Sequence, residues 1–461
     1  MARFSISDIV ELLPDGRWIV PPSEPLLFTG VSTYLPSWRP DDITFLRRDR
    51  ETFGISARAL RESGTVPRLL ITSGPELGLP ETAVLQVPDR QRALMKLARA
   101  ARARLPAPLI GVTGSAGKTS TTALIAHALG QLGPVYASRV GANTARGVAW
   151  NLASAREEDR HIVLEMAIAG MRDSTAAARP DVAVFTNIHA AHLVHHGDLR
   201  TIAARKSRMF EGMRPGGKVI LNSSMSERDY VAELAHAKGL EVIFYGRRPE
   251  DHVRPTGYDP ERDLVRIAIG EALIDLPKCN RHGVHMLHNF LAACGVHLAL
   301  GLSLDHLAAA FASFAPLPGR GARYAVPHPG GLFTLLDHSY NANPASMRVA
   351  LAELLAVPVE GRRIAVLGEM AELGETAAAE HHRLMQDIAK VGLDRIYTIG
   401  AAYQRQGSVP GHQELRGPED LAQIFENEIA AGDVVMVKGS NSTGLNAWVS
   451  KYIKDRSASL N

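Results

Sequence analysis

Between Pro108 and Leu132 the chain passes through an apolar run, a glycine-bearing turn and an amphipathic segment, a succession that few folds accept. Pro108 to Val112 predicts a buried strand. Thr119 to Leu132 carries Leu124, Ile125, Ala128 and Leu129 at helical spacing. The turn between them reads Thr113-Gly114-Ser115-Ala116-Gly117-Lys118-Thr119-Ser120. Glycines let backbone N–H groups converge, the helix start adds positive potential, and Lys118 brings a point charge to the outer phosphates of a nucleotide. Thr119 offers a hydroxyl to Mg²⁺. Val112 stands where the longer form of this loop has glycine, so the match is to the shorter G-x-x-G-K-T form.

A strand–loop–helix of this kind belongs in an α/β domain, and 461 residues exceed what one core holds. Three domains are expected. Residues 1–105 read as a small α/β recognition unit: a capped helix at Ser7–Leu13, strand-like pieces at 25–28, 43–46, 69–71 and 83–87, and a helix over 90–104 leading to the linker Leu105-Pro106-Ala107-Pro108. Residues 106–317 alternate strand and helix, which implies a largely parallel sheet. Strand 161–165 stops on Glu165, and strand 181–188 runs into His189 and His192. Ligands of open α/β sheets sit outside the carboxyl ends of strands, so both should face the phosphate loop. Strands at 218–221 and 241–245 and helices over 287–300 and 304–314 complete this domain. A break at Ala315-Pro316-Leu317-Pro318-Gly319-Arg320-Gly321 precedes a second open α/β unit of Rossmann type, residues 318–461, with strands at 333–336, 363–367, 395–399 and 434–437.

Composition excludes several functions. A formal net charge of +3 with no Lys/Arg run gives no argument for nucleic acid. Apolar runs fall short of the roughly eighteen residues that span a bilayer. Two cysteines, Cys279 and Cys294, fit a reducing compartment, and Asp8 and Glu11 interrupt any signal-like stretch, so a cytoplasmic location is expected. His189, His192, His195 and His196 crowd one segment. A zinc site is one reading of them, but no Cys or Glu stands beside them at zinc spacing; a single metal ligand and plain loop polarity are the others.

Taken together, the motifs resemble the Mur ligase family, the ATP-dependent ligases of peptidoglycan and folate metabolism, and most closely its MurF type or a paralogue of that type. The resemblance is carried by Thr113 to Thr119, Glu165, Asn187 to His192, Ala203-Ala204-Arg205-Lys206, His288-Asn289, Pro318-Gly319-Arg320, Asp337-His338-Ser339-Tyr340-Asn341-Ala342-Asn343-Pro344, Gly368-Glu369-Met370-Ala371-Glu372-Leu373-Gly374 and Lys438-Gly439-Ser440. It implies a first domain for a carboxylate substrate, a central one for ATP and a last one for an amine. The implied reaction moves the γ-phosphoryl group to the carboxylate, and an amine then displaces phosphate to leave an amide. UDP-MurNAc-tripeptide with D-alanyl-D-alanine, or a related pair from specialised metabolism, are the substrates it suggests. A catalytically inactive nucleotide-binding scaffold is the other reading.

The resemblance also implies roles. Gly114, Ser115, Ala116, Gly117, Lys118, Thr119 and Ser120 would cradle phosphates, with His288, Asn289, Arg320, Asp337 and Asn341 elsewhere around the nucleotide. Thr119, Glu165, His192 and Lys206 would hold Mg²⁺, two ions in all, with Lys206 carbamylated by CO₂; Lys118, Lys206, His192 and Glu165 are the catalytic set. Partners would be small molecules acting on a monomer. The chain departs from the family at Gly30 to Leu35, where an Asp-Ser-Arg block is usual, at Gly141 to Gly147, and at Ala292, His338 and Asn441. Both substrate ends have drifted more than the phosphate machinery.

Overall fold

The computed structural model describes residues 4–48, 51–74, 82–189, 198–259, 261–277, 285–403 and 409–458. Its centre is a nine-stranded sheet in the order 135–137, 161–165, 109–113, 182–185, 218–222, 241–245, 253–259, 264–269, 272–277. The first seven strands run parallel, and the seventh also opens an antiparallel extension that the last two complete. The expected strand is Leu109–Thr113 and the helix after it Lys118–Gly130. Period-two alternation divides the strand residues between two cores: Leu109, Ile162, Leu164 and Ala183 face one, and Ile110, Val112, Val163 and Val184 the other. Helices Lys118–Gly130 and His285–Leu300 cover the second face. On the first face lie helices Arg90–Arg104, Ala145–Ser154 and Met171–Ala178.

The antiparallel extension is a finding that periodicity did not announce. Its first strand, Val253–Asp259, contains Pro255 and Gly257, both poor strand formers, and the register shifts between them.

The described residues before Leu105 build a mostly parallel sheet in the order 17–20, 83–86, 69–72, 42–47, 30–32, with strand 55–56 paired to 42–47. Their apolar side chains run without a break into the central core, from Phe4 and Phe45 through Leu97 to Phe185 and Leu221. Arg102 fastens this junction from the helix Arg90–Arg104. Its Nε donates to the Ala178 carbonyl at 2.7 Å and its Nη1 to the Leu105 carbonyl at 2.9 Å.

The third sheet, 322–328, 331–338, 434–438, 363–368, 395–399, 412–415, is parallel except for its first hairpin. Helices Pro344–Ala356 and Ala377–Val391 pack on one face, Leu421–Asn427 and Leu445–Ala458 on the other. Asn343 caps the first of these helices by accepting the Ser346 N–H at 2.9 Å, with Pro344 at its first position. No helix among the described residues is long and apolar enough to cross a membrane.

One buried titratable residue sets a pH limit on this fold. His297, in helix His285–Leu300, is fully buried, bonds through Nδ1 to the Ala293 carbonyl at 2.8 Å and lies 3.1 Å from His306 Nε2. Burial, with His306 and His161 nearby, pushes its pKa down from 6.5 to about 4. The unfolded chain therefore binds a proton from pH 6.5 downward while the folded one resists until about pH 4. Stability is complete above that window and falls through it by about 3 kcal/mol in total. His297→Leu should flatten the fall in Tm between pH 6.5 and 4 relative to the unmodified chain, as followed by circular dichroism.

Candidate active site

The loop 114–117 is shaped by the end of the neighbouring strand Val182–Phe185. Gly117 has φ +77° at the start of helix Lys118–Gly130, a conformation glycine adopts freely. At Gly114 a β-carbon would lie 1.9 Å from Thr186 Oγ1, so no other residue fits. Thr186 Oγ1 donates to the Ala116 carbonyl at 2.6 Å, and Asn187 Oδ1 accepts the Ala116 N–H at 2.8 Å. Ser115 donates its N–H to the Asn187 carbonyl at 3.0 Å, and the His189 N–H returns to Ser115 Oγ at 3.1 Å. The next amides open the helix, where N–H groups have no intrahelical acceptor.

Two lysines meet on one carbonyl. Lys118 Nζ donates to Gly114 O at 3.1 Å, and Lys206 Nζ, from helix Leu199–Ser207, donates to the same oxygen at 2.8 Å. Lys206 is buried and Lys118 half-buried, its ammonium end facing the cavity described below. Burial lowers the Lys118 pKa, opposed by Glu165 and assisted by Arg320. The Lys206 pKa is driven well below its ordinary value by burial and then by Lys118. Beside them Thr119 Oγ1 donates to Glu165 Oε2 at 2.6 Å, and Asn143 Nδ2 donates to Glu165 Oε1 at 2.8 Å. The Glu165 N–H is itself held by Ser138 Oγ at 2.8 Å.

The opposite wall comes from the third sheet and the break before it. Arg320 stacks on Tyr340, its guanidinium carbon 3.9 Å from the ring centre. Lys438, at the end of strand Val434–Lys438, donates to the Asn341 carbonyl at 2.8 Å; burial and then Arg320, against Asp337, push its pKa down to about 7. Glu353 lies buried between Arg323, at 2.7 Å, and His338 Nε2, at 3.0 Å.

Between the walls is a cavity of about 780 Å³. Ser115 to Ser120, Glu165, His288, Asn289, Arg320, Asn341 and Lys438 all line it, so the structure gathers residues from positions 115 to 438. His288 has a buried Nδ1 with no hydrogen-bond partner among the described residues, and burial with Arg247 nearby lowers its pKa. Asn289 accepts the Thr121 hydroxyl at 2.9 Å. Gly114 and Lys206 stand just behind this wall. Asp337 is also behind it: Oδ2 accepts the Gly319 N–H at 2.7 Å and Oδ1 the Ser339 N–H at 3.1 Å and Ser339 Oγ at 2.5 Å, so its carboxylate holds the interdomain turn. His192, His195 and His196 lie outside the described residues, while His189 is on the cavity wall.

Sequence reasoning missed Ser138, Thr186, Tyr340 and Glu353 as parts of this site. Ser138 and Thr186 each directly follow a strand, one place beyond the strand-end position that Glu165 holds. Glu353 shares a helix face with the buried Ala350, three residues before it, and a carboxylate on a buried face was the available signal.

Comparison with known proteins bears on this geometry. Residues 112–297 match the Mur ligase middle domain, and residues 325–441 the Mur ligase glutamate ligase domain. The UDP-N-acetylmuramoyl-tripeptide–D-alanyl-D-alanine ligase of Mycobacterium tuberculosis is 32% identical over 399 residues, covering 79% of this chain and 77% of its own length. Among solved structures, MurF from Acinetobacter baumannii superposes with a TM-score of 0.79 at 24% identity, covering 97% of this chain and 98% of that one. MurF ligase from Thermotoga maritima in complex with ADP gives a TM-score of 0.75 at 22% identity, covering 93% and 98%.

If the 114–117 loop grips a nucleotide, its tightest point should be the most sensitive. Gly114→Ala is expected to weaken ADP binding by tenfold or more, about 1.4 kcal/mol, in a calorimetric titration. Gly130→Ala, at a position where a β-carbon meets nothing within 4 Å, should bind ADP as the unmodified chain does.

Proposed function

The chain belongs to the Mur ligase family, and we propose that as an ATP-dependent carboxylate–amine ligase it joins UDP-MurNAc-tripeptide to D-alanyl-D-alanine. The observation that carries this reading is the meeting of Lys118 and Lys206 on Gly114 O, beside the Thr119–Glu165 pair.

A free carboxylate is a poor acyl donor because oxide is a poor leaving group. In the proposed first step a carboxylate oxygen forms a bond to the γ-phosphorus while the bond to the ADP oxygen breaks. Two anions must be brought together for this, so positioned cations dominate. Lys118 and the N–H groups opening helix Lys118–Gly130 would hold the outer phosphates, and Arg320 would face them across the cavity. In the second step the amine nitrogen attacks the acyl carbon, phosphate departs with its oxygen, and the nitrogen loses a proton. Lys438 lines the same cavity on the side proposed for the amine.

The Thr119 hydroxyl and the Glu165 carboxylate are hard oxygen donors already in contact, which suits Mg²⁺. They would hold it together with His192 and a modified Lys206. When bound, the ion neutralises phosphate charge. Lys206 is chemically suited to carbamylation. Burial and Lys118 favour its neutral amine, the form that bonds to the carbon of CO₂ and releases one proton to give a carbamate. The product carries two oxygen donors and cancels the repulsion from Lys118.

Release of ADP and phosphate should require both UDP-MurNAc-tripeptide and D-alanyl-D-alanine in a coupled assay. Turnover unaffected by omitting the amine would overturn the ligase reading, and binding of ATP with no turnover on any carboxylate panel would favour a scaffold. Lys206→Ala is expected to lower kcat by 10² or more, the scale of losing one positioned charge. Added formate or acetate should restore part of the rate, and full activity in the variant would refute the carbamate.

A further inference from the structure

A second cavity, of about 280 Å³, lies at the opposite ends of the central strands, where Leu109 and Val182 begin. Arg102, Arg179 and Arg214 line it with the single carboxylate Asp181, and Pro106 and Pro108 of the linker stiffen its wall. Asp181 is already committed: its Oδ2 accepts Arg102 Nη2 at 3.0 Å and the Leu109 N–H at 2.9 Å. Arg102 is buried and fully bonded, yet its pKa is lowered by burial and, despite Asp181, by Arg179 and Arg214. Those two arginines make no ion pair among the described residues. Positive charge here is left uncompensated.

The backbone adds an independent sign. Arg179 ends helix Met171–Ala178 with φ +44° and ψ +68°, a left-handed conformation that glycine adopts freely and arginine does not. Pro180 follows and narrows its backbone freedom further. A strained residue stands where glycine would serve the turn, and it lines the arginine-rich cavity, its charge felt by Arg102.

The geometry points to an oxyanion site for a phosphate group, held by Arg179 and Arg214 over the buried Arg102 and separate from the nucleotide cavity. Guanidinium forks suit phosphate oxygens, and the cavity has room for an ion or for a small phosphomonoester. Occupancy would join three elements at the junction of the first unit with the central sheet: helix Arg90–Arg104, the end of helix Met171–Ala178 and the turn that carries Arg214.

Titration calorimetry of the full chain with sodium phosphate, and separately with glycerol 2-phosphate, tests this against sodium chloride at equal ionic strength. Each titration is made with and without Lys118→Ala, which removes a cation from the other phosphate-binding candidate. Saturable binding is expected to persist in Lys118→Ala and to weaken at least tenfold when Arg179→Gly or Arg214→Ala is added. Arg179→Gly suits the left-handed position, so its Tm without phosphate should be unchanged or higher, separating loss of the site from loss of the fold. Binding of both probes identifies a phosphorylated small molecule as the ligand class; binding of phosphate alone identifies the free ion. Absence of saturable binding in Lys118→Ala, or binding indifferent to both arginine variants, overturns the site.

Discussion

Two amines on one carbonyl oxygen, one buried and one half-buried, are an unstable arrangement unless something negative arrives. Lys118 and Lys206 are separated by 88 positions in the chain, yet both donate to Gly114 O, and burial penalises the charged form of each. The architecture exists to hold that tension. Strand Leu109–Thr113 delivers the carbonyl, helix Lys118–Gly130 fixes one amine and helix Leu199–Ser207 the other. A triphosphate relieves one charge and a carbamate would convert the other. The same low dielectric that makes neighbouring cations costly strengthens their hold on an anion.

The far wall answers with the opposite economy. Arg320 is spread over the face of Tyr340, Asp337 is spent on the turn 319–321, and Glu353 is balanced by Arg323 and His338. Apart from Arg320 and Lys438, whose pKa values burial lowers, these charges are compensated before any ligand comes. A cavity with one strained and one satisfied wall favours a ligand that brings its negative charge to the loop.

The phosphate loop was legible in the sequence because its logic is local: glycines, lysine and threonine act within a few residues of one another. Glu165 was legible because a carboxylate closing an apolar strand has one natural place in an open sheet. Lys206 was not legible from the chain alone, since an amphipathic helix gives no hint of a bond to a carbonyl 92 residues away; the family resemblance supplied it. Asp337 shows the opposite limit, because a motif residue expected near nucleotide turns out to hold backbone N–H groups. The Gly30–Ser32 segment differs from the family pattern, and its surroundings give a reason. It is a buried strand whose Val31 carbonyl accepts Trp150 Nε1 at 2.8 Å and whose Ser32 bonds to the buried Asp42. Here the segment braces one unit against the next.

The unbroken core from Phe4 to Leu221 has an evolutionary corollary. The part of the chain that would read one substrate cannot be traded as a cassette, because its helix Arg90–Arg104 is also wall material for the central sheet. New carboxylate preferences must then arise by point change within an inherited body. The segment after the glycine-rich turn 315–321, which has separate cores of its own, is the piece that recombination could replace.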